Sequence, residues 1–183
     1  MSFEELINLV PEDSKVLEVG TNGLQGENTS LALAKRFKDI IGFNIPSAPG
    51  YLYQPWPHYH VRLEDFYKAT ITEKYDLIVL DLNLGNNLRK DWTWEGLARM
   101  YGLLNPGGYL INYVMTDTDY HSYSFPNYTG KFIKHHMASW WGQYPLTGLG
   151  ILNKLHSLYI FKFVKMLQEE RRKYIWWCLL QKI

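Results

Sequence analysis

Three glycines follow an acidic residue in a spacing that suits a ligand-binding loop. Glu18 precedes Gly20, Gly23 and Gly26, which form a G-x-x-G-x-x-G pattern between an apolar run and a helix-like run. Glycine lets the backbone approach a ligand closely, and the start of the following helix offers unpaired N–H groups and a positive potential. We therefore predict that this loop binds part of a small molecule.

Polar residues also stand at the ends of the next apolar runs. Asn44 ends the second run, Asp65 lies at the end of the third, and Asp81 at the end of the fourth. If these runs are parallel strands, their carboxyl ends lie at one edge of a sheet, where ligands bind in open α/β folds. The sequence therefore predicts one crevice at that edge, shared with the glycine loop.

The elements that must position these residues alternate between strands and helices. Helical periodicity predicts helices at 3–9, 29–37, 94–104 and 132–141, the third closed by the Asn-Pro-Gly-Gly turn at 105–108. Apolar runs predict strands at 15–19, 39–45, 60–66, 75–82, 109–115, 157–164 and 174–181. This alternation predicts an α/β fold with a mostly parallel sheet, and the absence of a repeat or a low-complexity linker predicts one domain over 1–183.

Together these motifs resemble those of the class I S-adenosylmethionine-dependent methyltransferases. KVLEVGTNG resembles their first motif, IIGFNI the second, LED the third, YDLIVLDLN the fourth, and LLNPGGYLI the turn into the fifth strand. The E-x-G-T form followed by TSLALA is most similar to small-molecule O-methyltransferases. The resemblance covers 15–115 and implies a Rossmann-like, doubly wound, mostly parallel seven-stranded sheet with an antiparallel last strand.

The resemblance further implies S-adenosylmethionine as the cofactor, and its methionine part would lie against the glycine loop. Gly20, Thr21 and Gly23 would pack against that part, and Glu18 would help to orient it.

The nucleoside part and the transferred methyl group would lie at the next strand ends. By the same resemblance, Asn44 would hold the ribose hydroxyls, Asp65 would meet the adenine amino group, and Asp81 would lie near the methyl group.

Asn44 departs from the family, which has Asp or Glu at this position. A neutral amide has one acceptor where a carboxylate has two charged ones, so we expect a loss of about 1 kcal/mol in cofactor binding. From the sequence, Asn44→Asp should therefore tighten that binding.

The segment 45–59 departs further from the family. Its four prolines disfavour the usual helix and predict an aromatic-proline loop, either a surface cover or a pocket wall.

Methyl transfer to a hydroxyl needs an aligned acceptor and a group that removes its proton. The polar segment 115–128 stands where the family binds its acceptor, and Asp117, Tyr120 and His121 are our candidates for these tasks, with Asp81 beside the methyl group. Some relatives use a divalent cation, but Asn83 and Asn112 stand where carboxylates would be needed, so we expect no metal ion.

Composition limits the partners of the protein. The net charge is +1 and the one dense basic cluster is 171–173, so we expect no nucleic-acid partner. No apolar run approaches the ~18 residues that span a bilayer, and no signal segment is recognised, so we expect no membrane partner and a cytoplasmic location. The Trp pairs at 140–141 and 176–177 would suit a homodimer interface.

Three functions are open at this point. The first is S-adenosylmethionine-dependent methyl transfer to a small-molecule acceptor, at oxygen. The second is a module of the same fold that has lost catalysis and acts in binding or dimerisation, which Asn44 and the proline segment would suit. The third is a nicotinamide-dependent oxidoreductase, which fits an open α/β sheet but lacks the usual G-x-G-x-x-G.

Overall fold

The computed structural model describes residues 2–21, 29–44, 56–80, 94–115, 161–168 and 175–183. The helices are α1 (Ser2–Ile7), α2 (Thr29–Arg36) and α3 (Trp94–Leu103). The strands are β1 (Val16–Val19), β2 (Ile40–Asn44), β3 (Tyr59–Leu63), β4 (Tyr75–Leu80), β5 (Leu104–Met115), β6 (Phe161–Gln168) and β7 (Ile175–Lys182). The helix predicted at 132–141 lies outside the described residues.

The strands form one seven-stranded sheet in the order β3-β2-β1-β4-β5-β7-β6. Neighbouring strands from β3 to β5 pair in parallel, whereas β7 pairs antiparallel with both β5 and β6. The predicted α/β, doubly wound, mostly parallel sheet with an antiparallel last strand is confirmed. The sheet therefore places the carboxyl ends of β1, β2 and β3 side by side.

β1 is buried on both faces, as expected for a central strand of a parallel sheet. All four of its residues are buried. Val16 packs with residues of α1 and α2 in one core cluster, while Leu17 and Val19 pack with Phe43 and other residues in a second cluster on the other face. The apolar side chains of this short run therefore pack into a hydrophobic layer on each face of the sheet.

The helical face predicted after the glycine loop is confirmed. Ser30, Leu33, Ala34 and Phe37 are each at most 2% exposed, and α2 covers the first three of them. This spacing at three and four residues puts the side chains on the same side of a helix, against the sheet.

The Asn-Pro-Gly-Gly segment differs from its predicted place between a helix and a strand. β5 begins at Leu104, directly after α3, and the register of its pairing with β4 shifts between Tyr75 and Leu77. Gly107 has a φ of 73°, a backbone conformation that residues other than glycine rarely adopt. The turn is therefore an irregularity within the strand pairing. In the described part of the chain, no helix has the length and apolarity that crossing a bilayer requires.

Candidate functional site

The chain leaves β1 through a left-handed glycine. Gly20 has a φ of 88°, and its N–H donates to the carbonyl of Phe43 on β2 over 2.8 Å. The N–H of Thr21 donates to the same carbonyl over 3.3 Å. The backbone thus turns sharply while staying bound to β2, and the rest of the glycine loop, with Gly23, lies outside the described residues.

Glu18 lies behind this turn and is fully buried. The hydroxyl of Ser30, in the first turn of α2, donates to its Oε1 over 2.8 Å, and the Tyr59 hydroxyl of β3 donates to Oε2. Gly42 makes room for this bond, because a Cβ there would lie 3.0 Å from the Tyr59 hydroxyl and collide with the Thr21 methyl. Glu18 therefore binds three elements together, and its role towards a ligand stays a prediction.

Asn44, at the end of β2, is turned towards the start of the glycine loop. Its Nδ2 donates to the backbone carbonyl of Thr21 over 2.8 Å and lies 3.4 Å from the Thr21 hydroxyl. Thr21 is 2% exposed and Asn44 is 8% exposed. The amide side chain thus connects the ends of two neighbouring strands in a nearly dry environment.

Beside Asn44 lies a small open cleft. It is lined by residues at the ends of the first three strands, namely Val19, Gly20, Phe43, Asn44, Glu64, Asp65, Phe66 and Tyr67. The structure therefore brings together three of the residues singled out in the sequence, Gly20, Asn44 and Asp65. Glu18 and Thr21 lie directly next to the lining residues in the chain, whereas Gly23, Asp81, Asp117, Tyr120 and His121 lie outside the described residues.

Asp65 is held in the cleft wall by its own turn. Its Oδ1 accepts the N–H of Tyr67 over 2.9 Å, and its carbonyl accepts the N–H groups of Lys68 and Ala69, each over 2.9 Å. Such side-chain-to-backbone bonds are typical of Asp in turns. The side chain remains 33% exposed, so the carboxylate is oriented without being sealed off.

Aromatic rings form the rest of this wall. The Phe66 ring packs edge-on against Phe43, with centroids 5.7 Å apart, and against Tyr67, with centroids 5.0 Å apart. Flat apolar walls with a few oriented polar groups are typical of small-molecule sites.

Arg99 of α3 supports the wall from behind. Its Nη2 donates to the carbonyls of Phe66 and Ala69, each over 2.6 Å, and its Cζ lies 4.9 Å from the centroid of the Phe66 ring. Its Nε is buried without a hydrogen-bond partner. The guanidinium therefore fixes the turn that carries Asp65, through carbonyl bonds and a cation–π contact.

The sequence reading missed Phe66, Tyr67 and Arg99. The aromatic pair directly after Asp65 was a usable signal, since the acid and the pair lie in one short turn. Arg99 had no such signal, because its contacts lie 30 and 33 residues away in the chain.

The described residues contain no group of three or more His, Cys, Asp or Glu side chains that could hold a metal ion. The residues that a cation would need most, Asp81 and Asn83, lie outside them. The chemistry of the described cleft is thus that of two carboxylates, one carboxamide, backbone groups and aromatic rings.

The sheet and its cleft define the class of fold. A seven-stranded sheet with an antiparallel last strand, entered through a glycine turn after β1, is the fold of the class I S-adenosylmethionine-dependent methyltransferases. No family model matches the sequence, and no curated protein matches it either.

Solved structures share this fold. The chain is similar to the N-methyltransferase NodS from Bradyrhizobium japonicum WM9, with 18% identity and a TM-score of 0.64 over 98% of this chain and 93% of that one. A structure of NodS in complex with S-adenosyl-L-homocysteine gives a TM-score of 0.62 at 18% identity, over 98% of this chain and 85% of that one.

Two further structures show how widely the fold is shared. A TehB-like S-adenosylmethionine-dependent methyltransferase from Corynebacterium glutamicum ATCC 13032 Kitasato has 16% identity and a TM-score of 0.59, over 100% of this chain and 88% of that one. An rRNA methylase from Streptococcus thermophilus has 14% identity and a TM-score of 0.56, over 98% and 93%. At these identities the likeness establishes the fold.

Proposed function

We propose that the protein transfers a methyl group from S-adenosylmethionine to a small-molecule acceptor, at oxygen. The observation that carries this proposal is the meeting of Gly20, Asn44 and Asp65, from three neighbouring strand ends, in one cleft. The fold supports it, because ligands of open α/β sheets bind at the carboxyl ends of the strands.

The residues of the cleft fit the nucleoside half of this cofactor. The Asp65 carboxylate can accept hydrogen bonds from an amino group such as that of adenine, and the neighbouring rings of Phe66 and Tyr67 offer flat apolar surface to the base. Asn44 can accept a ribose hydroxyl through its Oδ1. The Gly20 backbone, which has no side chain to block approach, would lie beside the methionine part.

When bound, the cofactor would supply an electrophilic methyl group on its sulfonium sulfur. The chain's own task is to orient the acceptor oxygen towards that methyl group, exclude water and remove the hydroxyl proton. Asp81 at the end of the fourth strand, with Asp117 and His121 after the fifth, are the residues we propose for these steps.

The class of acceptor separates this proposal from neighbouring activities. The fold neighbours include an N-methyltransferase and an rRNA methylase, so nitrogen acceptors and RNA are the competing choices. A net charge of +1 argues against a large RNA interface, which needs many cationic side chains. Transfer of a labelled methyl group to panels of small hydroxyl compounds, small amines and rRNA would distinguish the three.

Thermal unfolding with added ligand tests the cofactor directly. At a hundredfold excess over the dissociation constant, bound ligand stabilises the native state by about 2.7 kcal/mol. For a chain of this size we expect S-adenosylmethionine and S-adenosylhomocysteine to raise the Tm by roughly 5–11 °C.

The same experiment addresses the alternatives. A Tm that stays constant at millimolar concentrations of both compounds would refute the proposal and favour a binding module of the same fold. A rise with NADH alone would favour an oxidoreductase.

A further inference from the structure

Asn44 stands at the strand end where the sequence resemblance leads one to expect a carboxylate. In the structure its Nδ2 donates to the Thr21 carbonyl over 2.8 Å, in surroundings where both residues are at most 8% exposed. The bond joins the end of β2 to the first residues of the glycine loop. It gives the carboxamide a task that is independent of any ligand.

The chemistry of the two groups fixes which way the amide points. A backbone carbonyl only accepts hydrogen bonds, and the amide offers a donor at Nδ2 and an acceptor at Oδ1. The Nδ2 end must therefore face Thr21, and of the two polar ends of this side chain Oδ1 is the one that a ribose hydroxyl could donate to.

A carboxylate at this position would place an acceptor against an acceptor. Neither oxygen of an ionised Asp can donate to the Thr21 carbonyl, and a buried carbonyl that loses its donor is costly. Other negative charges are close by, since Glu18 lies on β1 and Glu64 and Asp65 line the same cleft, with Arg62 bound to Glu64 over 2.5 Å. An additional anion here would lie at the same cleft as the carboxylates of Glu64 and Asp65, which follow β3.

We propose that Asn44 is a positioning residue that sets the start of the glycine loop through its bond to the Thr21 carbonyl, and that this bond requires a carboxamide. Building on the proposed function, the ribose is then received by one uncharged acceptor. Asn44→Asp therefore weakens cofactor binding, contrary to the expectation from the sequence.

The test combines N44D with N44A, each measured by thermal unfolding without ligand at pH 5 and pH 7.5. At pH 7.5 we expect N44D to fall below wild type by about 3–9 °C and to be no more stable than N44A. At pH 5 the introduced carboxyl is increasingly protonated, because burial and nearby anions raise its pKa above the usual value of about 3.9. A protonated carboxyl donates to the Thr21 carbonyl, so the Tm of N44D should rise relative to that of N44A as the pH falls.

A third variant separates the carbonyl from the hydroxyl of Thr21. T21V removes Oγ1, which lies 3.4 Å from Nδ2, and keeps the backbone carbonyl and the shape of the side chain. We expect its Tm to stay closer to wild type than that of N44A. Failure of N44D to fold while N44A folds would support the proposal, because it means that a carboxylate is worse here than no polar group.

The proposal is overturned if N44D is as stable as wild type at pH 7.5, or if its difference from N44A is the same at both pH values. Calorimetric titration measures the affinity for S-adenosylhomocysteine, which N44D should bind about tenfold more weakly than wild type. Tighter binding by N44D would also overturn it. If wild type itself binds no S-adenosylhomocysteine, the proposed function fails, while the ligand-free measurements still decide the role of Asn44.

Discussion

Charged side chains form ion pairs at both ends of the parallel strands, and at the carboxyl ends of β1, β2 and β3 they also line an open cleft. At the amino end the Lys15 ammonium lies 2.9 Å from Glu73 Oε2, and the Lys15 N–H donates to Asp76 Oδ2 over 2.9 Å. Asn105 Nδ2 donates to Asp76 Oδ1 over 2.7 Å. Each of these groups has a protein partner, so this end contributes to stability.

The carboxyl end uses similar residue types differently. The Asp65 carboxylate accepts a hydrogen bond from its own turn through Oδ1, lies 3.9 Å from the Lys68 ammonium through Oδ2 and stays one-third exposed, while Asn44 supports a backbone turn next to the cleft. A carboxylate that is oriented but still accessible, such as that of Asp65, can bind a ligand at little cost in reorganisation. The two ends of one sheet thus separate a region built for stability from a region built for recognition.

Two arginines repeat this contrast. Arg36, the last residue of α2, donates to the carbonyls of Ile7 and Val10 over 2.8 and 2.7 Å and pairs with Glu12 over 3.1 Å, which closes the end of α1. Arg99 also bridges two carbonyls, but those carbonyls belong to the cleft wall. Hydrogen bonds from arginine to backbone carbonyls thus stabilise the packing of α1 and α2 at Arg36 and shape the cleft wall at Arg99.

The largest expected effect is on stability, from Asp76→Ala at the amino end. The change removes the acceptor of the Lys15 N–H and of Asn105 Nδ2, and we expect a loss of about 2–3 kcal/mol. Thermal unfolding should show a Tm lower by roughly 4–12 °C, with the affinity for S-adenosylhomocysteine unchanged in titrations below that Tm.

Asp65→Ala is the matched control at the carboxyl end. It removes the hydrogen bond from the Tyr67 N–H and an exposed ion pair with Lys68, so the free energy of unfolding should fall by only about 1 kcal/mol, while the affinity falls at least about tenfold. A weaker ligand affinity in D76A, or an unchanged one in D65A, would abolish the contrast between the two ends.

Alkaline pH should weaken the amino end through Tyr75. Burial, together with the nearby Glu73 carboxylate, raises the pKa of Tyr75 to about 12. An acid with a raised pKa in the folded state stabilises the protein fully below its unfolded pKa of about 10, and this stability is lost as the pH rises towards 12, by about 1.4 kcal/mol per pH unit.

Denaturant unfolding of wild type and Tyr75→Phe between pH 9 and pH 12 measures this loss. The decline should be shallower in Y75F, and equal slopes would show that Tyr75 does not titrate as expected. Both should be measured in a Cys178→Ala background, because burial also raises the pKa of the Cys178 thiol to about 12.

The arginine pair gives a smaller effect that is specific to the ligand. Lysine lacks the planar guanidinium, which lies against the Phe66 ring in Arg99 and spreads its donors over Nε and both Nη atoms in Arg36. Arg99→Lys and Arg36→Lys should therefore both lower the Tm by a few degrees, roughly 2–6 °C. In R99K alone, the loosened wall should reduce the affinity for S-adenosylhomocysteine, by about three- to tenfold. Equal affinities in the two variants would mean that Arg99 only stabilises the fold.

The smallest effect belongs to the Lys15–Glu73 pair. The hydrogen bond to Lys15 lowers the pKa of Glu73, and the same contact raises that of Lys15. The pair therefore stabilises the fold above pH 4.5 and loses this contribution as the pH falls further. Because the Glu73 side chain is 52% exposed, Glu73→Gln should cost less than about 1 kcal/mol at pH 7, and 0.5 M salt should reduce the difference.

Much of the architecture could be predicted because its causes are local. The apolar run of β1 and the spacing of Leu33, Ala34 and Phe37 state directly which faces are buried. Because the helices alternate with apolar runs, a parallel sheet follows, and with it the meeting of Gly20, Asn44 and Asp65 at one edge. The boundaries of β6 and the irregular start of β5 were less predictable, since strand pairing decides them.

The amino-acid sequence by itself determined which segments become strands and helices and which polar residues end them, because periodicity and turn chemistry act over a few residues. Tertiary structure alone decided what those polar residues do. Glu18 is sealed between Ser30 and Tyr59, Asn44 is turned towards Thr21, and Arg99 holds a wall 30 residues away. A hydrogen bond forms only when donor and acceptor lie within a few tenths of an ångström of their preferred separation. Residues far apart in the chain reach such positions only once the sheet has assembled.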